Sequence, residues 1–219
     1  VELWGVLADN FPQFRDGFLV TLGLVAVSFA IAVVVGTLIA ALRVQPIRAL
    51  RWIGTVYVEF FRNIPLLVLL FIAFAGLRRA GVNIGPFAAG TGSLGLYTAA
   101  YVAEAIRSGV FAVGQGQIEA SLSMGFTYPQ TLRKIVLPQA IRTVIPPLGN
   151  LTIAMIKNSA IIGVALGLAQ DLLKEARIIN SNTFQTNEVF FWAAVGYLIM
   201  TVSATLTVRR LEQRLVIRR

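Results

Sequence analysis

The chain has 219 residues, of which 57% are hydrophobic and only 13% charged, with a mean hydropathy of +0.76. Composition this apolar excludes a water-soluble domain and fits an integral membrane protein. Cysteine and histidine are both absent, which removes thiol and imidazole catalysis, disulfide staples and the usual metal ligands, and the net charge of +9 sits mainly between and after apolar segments, where it sets membrane orientation rather than contact with nucleic acid.

In chain order, Val1 to Gly17 mixes Leu3, Trp4, Leu7, Phe11 and Phe14 with Asp9, Arg15 and Asp16, which predicts an amphipathic helix lying at the membrane surface. A cleaved signal sequence is not expected, because no small-residue cleavage site follows and the first apolar run is too long. A window of about 20 residues, the length a helix needs to cross the hydrocarbon core, gives five spans. They run from about Phe18 to Leu42, Thr55 to Leu77, Leu94 to Val113, Val144 to Leu168 and Val189 to Val208. The expected fold is all-α: five transmembrane helices plus an N-terminal interfacial helix, in one transmembrane domain over 1–219.

Orientation follows from the arginines. Arg43, Arg48 and Arg51 lie after the first span, Arg133, Lys134 and Arg142 after the third, and Arg209, Arg210, Arg214, Arg218 and Arg219 in the tail. These segments are expected in the cytoplasm, with the N-terminus outside and the C-terminus inside. Arg78 and Arg79 are the exception, expected outside.

Several polar side chains fall within the spans, where a charge costs roughly 2.5–3.5 kcal/mol on insertion scales. Glu59 with Arg62, and Glu104 with Arg107, stand three apart, so each pair can partly neutralise itself. Lys157 has no such neighbour. Asn63 and Pro65 interrupt the second span at a depth similar to Lys157, Asn158 and Ser159 in the fourth, and loosened backbone there exposes groups able to hold a ligand. A cavity between spans two, three and four is expected; satisfied packing pairs or assembly contacts are the alternative. Arg107 is expected to snorkel to the cytoplasmic edge.

Between the third and fourth spans lies a polar stretch from Gly114 to Pro138. Ile118, Leu122 and Phe126 recur at helical spacing, predicting a short helix that offers an apolar face to a partner with Glu119 and Ser123 beside it. Gly125 ends that helix. Thr127 with Gln130, and Pro129 between them, signal a second helix start. Two short helices meeting at a corner suit a docking loop; an ordinary surface hairpin is the alternative.

Glu119, Ala120 and Gly125, followed by an Ile135-x-Leu137-Pro138 stop, resemble the EAA loop with which ATP-binding-cassette importer permeases grip a separate ATPase. Further blocks occur in order: Glu59 to Leu67, Ala100 to Arg107, Leu137 to Arg142, Pro146 to Asn150, and Lys157 to Ser159. Together they resemble the polar amino-acid uptake permeases, the group of histidine, glutamine, glutamate and arginine importers, from about Thr21 onward. Three positions depart from the pattern: Asn63 for a frequent glycine, Ser121 for a second alanine, and Asn158 for a frequent aspartate.

The resemblance implies a bacterial cytoplasmic-membrane transport subunit, not an enzyme. Its implied partners are two ATPase subunits, a second homologous permease (heterodimer favoured over homodimer), an extracytoplasmic substrate-binding protein and an amino acid. No cofactor is expected on this chain, since ATP and magnesium belong to the ATPase. The chain has no Gly-x-x-x-x-Gly-Lys loop, and Gly90 to Gly95 fits a dinucleotide fingerprint in spacing alone. Alternating access would present a carboxylate to Arg62 or Lys157 and an ammonium to Glu59 or Glu104. Asn63, Tyr101, Asn158 and Ser159 would be neutral partners. Lys157 beside Asn158 points to glutamate, then glutamine or aspartate. A self-sufficient ion-coupled carrier or channel is the alternative function.

Overall fold

The structure, a computed structural model, describes residues 2–166 and 170–215. Arg218, Arg219 and the expected end of the fourth span at Leu168 lie outside the described residues. The described chain is helical. α1 (Glu2–Val44) is followed by α2 (Arg48–Asn63) and α3 (Leu66–Phe71), which passes through a π turn into α4 (Leu77–Arg79). Then come α5 (Pro86–Phe111), α6 (Gln115–Ser123), α7 (Tyr128–Thr131), a π turn at Leu132–Val136, α8 (Leu137–Leu166), α9 (Leu172–Thr183) and α10 (Thr186–Leu215).

Three expectations fail. Among the described residues three helical stretches are long and apolar enough to cross a membrane: Leu3–Val44, Tyr128–Ala165 and Thr186–Arg214. The pair Arg48–Asn63 and Leu66–Arg79, bent by 101°, makes a fourth if it counts as one span. By length and composition five transmembrane helices are therefore too many, and the helix that does not qualify is α5. Its Gly, Ser, Thr, Glu and Arg content is that of a central helix: Ala99, Ala100, Val102 and Ala103 are fully buried by its neighbours. A helix sheathed by protein has no need of lipid-compatible side chains.

The separate interfacial helix fails too, because the N-terminal segment is the first part of α1. Asn10 leaves helical geometry (φ −118°, ψ 15°) two residues before Pro12, so α1 is two helical pieces meeting at a kink. Asn10 Nδ2 donates to Val6 O at 2.9 Å. The segment packs on the bundle, with Val6 and Phe14 buried, Trp192 Nε1 donating to Leu3 O at 2.7 Å, and Trp4 against Trp192. Amphipathicity marks a helix with one apolar neighbour, and here that neighbour is protein.

Pro138 is also no stop. A π turn at Leu132–Val136 precedes it, and the helix runs on from Tyr128 to Ala165 through Pro146 and Pro147. The α2–α3 break does follow its proline: Ile64 before Pro65 is extended (φ −103°, ψ 132°).

Close glycine contacts assemble the bundle around α5. A β-carbon on Gly36 of α1 would stand 2.7 Å from Val102, and one on Gly95 of α5 2.8 Å from Ile31. Such approaches let backbones pack where no hydrophobic force separates helix from lipid. Gly109 meets Val144 of α8, and Gly149 meets Val208 of α10. Arg43, the Gly114–Pro138 loop and the last turns of α10 therefore gather at one end. At the other, Gly17 meets Leu172 of α9, and Trp192 meets Leu3.

Candidate functional site

An open cleft of about 750 Å³ lies between α2, α5 and α8, lined by Arg62, Tyr101, Glu104, Thr143, Pro146, Pro147 and Asn150, among others. Helical spacing puts Tyr101, Glu104 and Ser108 on one face of α5, and the Pro65 break brings the end of α2 over it. Glu104 is the hub. It pairs with Arg107 (Nη2 to Oε1, 2.5 Å) and, across sixty-one positions of sequence, with Arg43 of α1. Arg62 forms no ion pair among the described residues; its guanidinium stands 5.6 Å from the Tyr101 ring centroid. Tyr57 Oη donates to Leu96 O at 2.8 Å and fixes α2 on α5.

A smaller cavity of about 210 Å³ adjoins the cleft, sharing Tyr101 and Leu151 and adding Tyr97, Thr98 and Asn158. Tyr97 and Tyr101 hydroxyls are 3.0 Å apart. The expected ligand residues thus divide. Arg62, Tyr101 and Glu104 share the cleft, and Asn158 reaches its annex. Glu59 and Asn63 are exposed on α2 outside it, with Asn63 Nδ2 donating to Glu59 Oε2 at 3.1 Å. The expected Glu59–Arg62 pairing is absent. Lys157 lies on the exposed face of α8, lining neither cavity, and Ser159 is buried with its hydroxyl on Ile156 O at 2.7 Å.

In the loop, α6 ends at Ser123 with Met124 as its cap, and Gly125 takes the left-handed conformation (φ +85°), as the spacing predicted. Thr127 and Gln130 form the capping box, with Thr127 N donating to Gln130 Oε1 at 2.8 Å. The corner is clamped by a contact that sequence reading missed: buried Ser121, at the position noted for lacking alanine, lies 2.8 Å from Thr131 Oγ1. Gln139 Nε2 donates to Gln117 Oε1 at 2.5 Å, tying α6 to α8.

Glu119 and Ala120 are exposed, and Glu119 accepts from Gln115 Nε2 at 3.1 Å. The apolar face divides: Ile118 packs inward against Val113, Val136 and Ala140, while Leu122 and Met124 (79% exposed) face out. Ile135 is half-buried, and Leu137 and Pro138 are exposed at the base of α8. Arg43 was legible only as a topological charge, because nothing local in the sequence joins it to Glu104.

Known proteins match over nearly all of this architecture. Residues 13–217 match the family described as binding-protein-dependent transport system inner membrane component. The chain is 45% identical over 210 residues, 96% of each chain, to the probable glutamine ABC transporter permease protein GlnM of Bacillus subtilis. It is 37% identical over 229 residues, 99% of each chain, to the glutamate transport system permease protein GluC of Corynebacterium glutamicum. A chain in the crystal structure of an amino acid ABC transporter with histidines superposes with a TM-score of 0.89 at 37% identity, covering 95% of this chain and 96% of that one.

Proposed function

Because the chain belongs to the family of binding-protein-dependent transport system inner membrane components, and is a transmembrane permease subunit of an amino-acid ABC importer, we propose that its cargo is an acidic or neutral polar amino acid, glutamate first. Glutamine and aspartate follow. Relatives are named for glutamine, glutamate, cystine and arginine, so membership alone does not choose.

The observation that carries the reading is the charge of the cleft. The lining holds one acid, Glu104, already occupied from two sides by Arg43 and Arg107, which stand outside the lining, and one cation, Arg62, with no acid against it among the described residues. A cleft whose acid is already neutralised and whose one lining cation is unpaired attracts a carboxylate and repels a cationic side chain. Arg62 takes a substrate carboxylate, Glu104 faces the ammonium, and Tyr101, Asn158 and Asn150 supply neutral contacts. Lys157, Ser159, Glu59 and Asn63 are left to other roles.

The same proposal gives the chain its partners. Glu119, Ala120, Gly125 and the base of α8 at Ile135, Leu137 and Pro138 form the surface for the ATPase, with the basic end of the bundle in the cytoplasm and α9 outside. A second permease covers the exposed face of α8, where Thr143, Pro147, Asn150, Ala154 and Lys157 recur at spacings of three and four. A face carrying Asn150 and Lys157 is poorly matched to lipid. Two identical copies meeting there about a two-fold axis bring Lys157 towards Lys157, which a related but non-identical permease avoids. A substrate-binding protein delivers cargo outside, and ATP-driven closure of the ATPases alternates access to the cleft.

The test is uptake by the purified assembly in ATP-loaded vesicles. Labelled glutamate, then glutamine, is expected to accumulate in preference to arginine, and Arg62→Gln to abolish the preference. Faster uptake of arginine overturns the substrate reading. Purification of the chain from its own membranes without an ATPase overturns the assembly.

A further inference from the structure

Behind the docking loop lies a second cavity of about 580 Å³, separate from the cleft. Its walls are mixed: Val110, Val113 and Val136 from the bundle face Ile118 and Leu132 of the loop, and Gln115 and Thr131 add polar groups. Gln45 and Pro46, in the turn between α1 and α2, close one side, and exposed Tyr128 stands on another. The volume lies within the range of roughly 300–1,000 Å³ typical of ligand sites. The loop's own apolar cluster is small, built on Val113, Val136 and Ala140, and the cavity opens beside it.

The chain segments that line this cavity run on into basic residues. Arg48 and Arg51 follow Pro46 in sequence, and Arg133 and Lys134 follow Leu132; all four are exposed. No acid lies between Gln45 and Trp52, or between Phe126 and Ile135. None of these four cations has an ion-pair partner among the described residues. The cavity's partly apolar interior thus adjoins basic segments at one end of the bundle, and Tyr128 is an amphipathic residue type enriched at membrane interfaces.

We propose that this cavity binds an anionic phospholipid, its headgroup held by Arg48 and Arg133 and an acyl chain lying against Val110, Val113 and Val136. Charge complementarity selects the occupant: a neutral lipid leaves the cations unanswered, and a purely polar anion leaves the apolar part of the walls bare. So placed, the lipid wedges the loop against the bundle. The inference concerns the chain's membrane neighbour and does not depend on which amino acid crosses the cleft.

The full chain, with and without its ATPase, is reconstituted in nanodiscs of equal phosphatidylglycerol and phosphatidylcholine, re-extracted, and its retained lipid identified by mass spectrometry. Phosphatidylglycerol is expected to be retained over phosphatidylcholine. Arg48→Gln with Arg133→Gln should lower that retention at least about fivefold. Val110→Phe, which fills the cavity, should lower it without altering surface charge. The exposed double variant keeps the test decisive if the Phe variant does not fold. Equal retention of both lipids, or unchanged retention in the double variant, overturns the proposal. Lipid present on the chain alone but absent once the ATPase is bound also overturns it, since the occupant is then protein. Loss of the ATPase with phosphatidylglycerol still retained counts against the docking surface and leaves the lipid site standing.

Discussion

Asp171 seats its carboxylate in the space that a β-carbon on Gly163 would fill, so that the first residue of the α9 cap closes against the outer part of α8. Asp171 is fully buried, and its Oδ1 accepts from Lys174 N at 2.9 Å as the N-cap of α9. Leu172 N donates to Thr21 Oγ1 at 3.0 Å, anchoring the same corner to α1. Gly163→Ala should therefore displace α9 and lower stability by about 1–3 kcal/mol, the usual cost of overpacking. Asp171→Ala alone should cost about 1 kcal/mol through the lost cap. Thermal unfolding of both variants and their combination checks this: the double variant should lose less than the sum, because removing the carboxylate makes room for the methyl.

The same seat carries a pH dependence. Burial pushes the Asp171 carboxyl up to about 6 from an ordinary value of 3.8, against the opposing hydrogen bonds from backbone N–H groups that favour its charged form. The folded state then holds its proton to higher pH than the unfolded chain does. Burial costs nothing below about 3.8; the cost grows as pH rises from there to about 6 and is constant above, so acid favours the seated α9. Tyr197 on α10 and Lys174 on α9 are the titratable groups beside it. The melting temperature should fall from pH 5 to pH 8, and Asp171→Asn should flatten that trend. A slope unaltered by the Asn variant places the titration elsewhere.

Local features of this molecule were legible in the sequence, and contacts between helices were not. The Thr127–Gln130 box and the Gly125 stop need only a few neighbouring residues, and both stand as the spacing predicted. Glu104 with Arg107 is an i, i+3 pair and was equally readable. Arg43 reaches Glu104 only because Gly36 and Gly95 bring α1 and α5 together, and no periodicity encodes which glycine meets which valine. The window that made α5 a fifth span overlooked its small and polar residues, whose burial by neighbouring helices only the fold reveals. Lys157 and Asn158, adjacent in sequence, part company because neighbouring helical residues point about 100° apart.

Glu104 is held by two arginines of different helices, so its replacement should separate assembly from transport. Glu104→Gln leaves Arg43 and Arg107 facing each other and should lower stability by roughly 1.5–3 kcal/mol. Uptake should fall to background. Adding Arg43→Gln removes one stranded cation and should recover thermal stability without recovering uptake. Stability and uptake returning together in the double variant would mean that Glu104 serves packing alone.

Ser121 and Thr131 share a buried hydrogen bond that joins α6 to α7 across the loop corner. Ser121 Oγ also lies 2.9 Å from Ile118 O, to which it can donate, so Thr131 can supply the proton between the two hydroxyls. Thr131→Val removes that donor while keeping the shape, and should loosen the corner without touching exposed Glu119. Gly125→Ala acts on the same corner by forcing a β-carbon into the left-handed region, at about 1–2 kcal/mol. Both variants should reach the membrane and hold substrate, yet show weakened ATPase retention and reduced stimulation of ATP hydrolysis by substrate. Glu119→Gln should weaken retention while leaving the corner intact, as read by hydrogen exchange of the Ser121 to Thr131 amides. Equal exchange in all three variants would show that the clamp does not set the loop's shape, and docking would then rest on Glu119 and its neighbours alone.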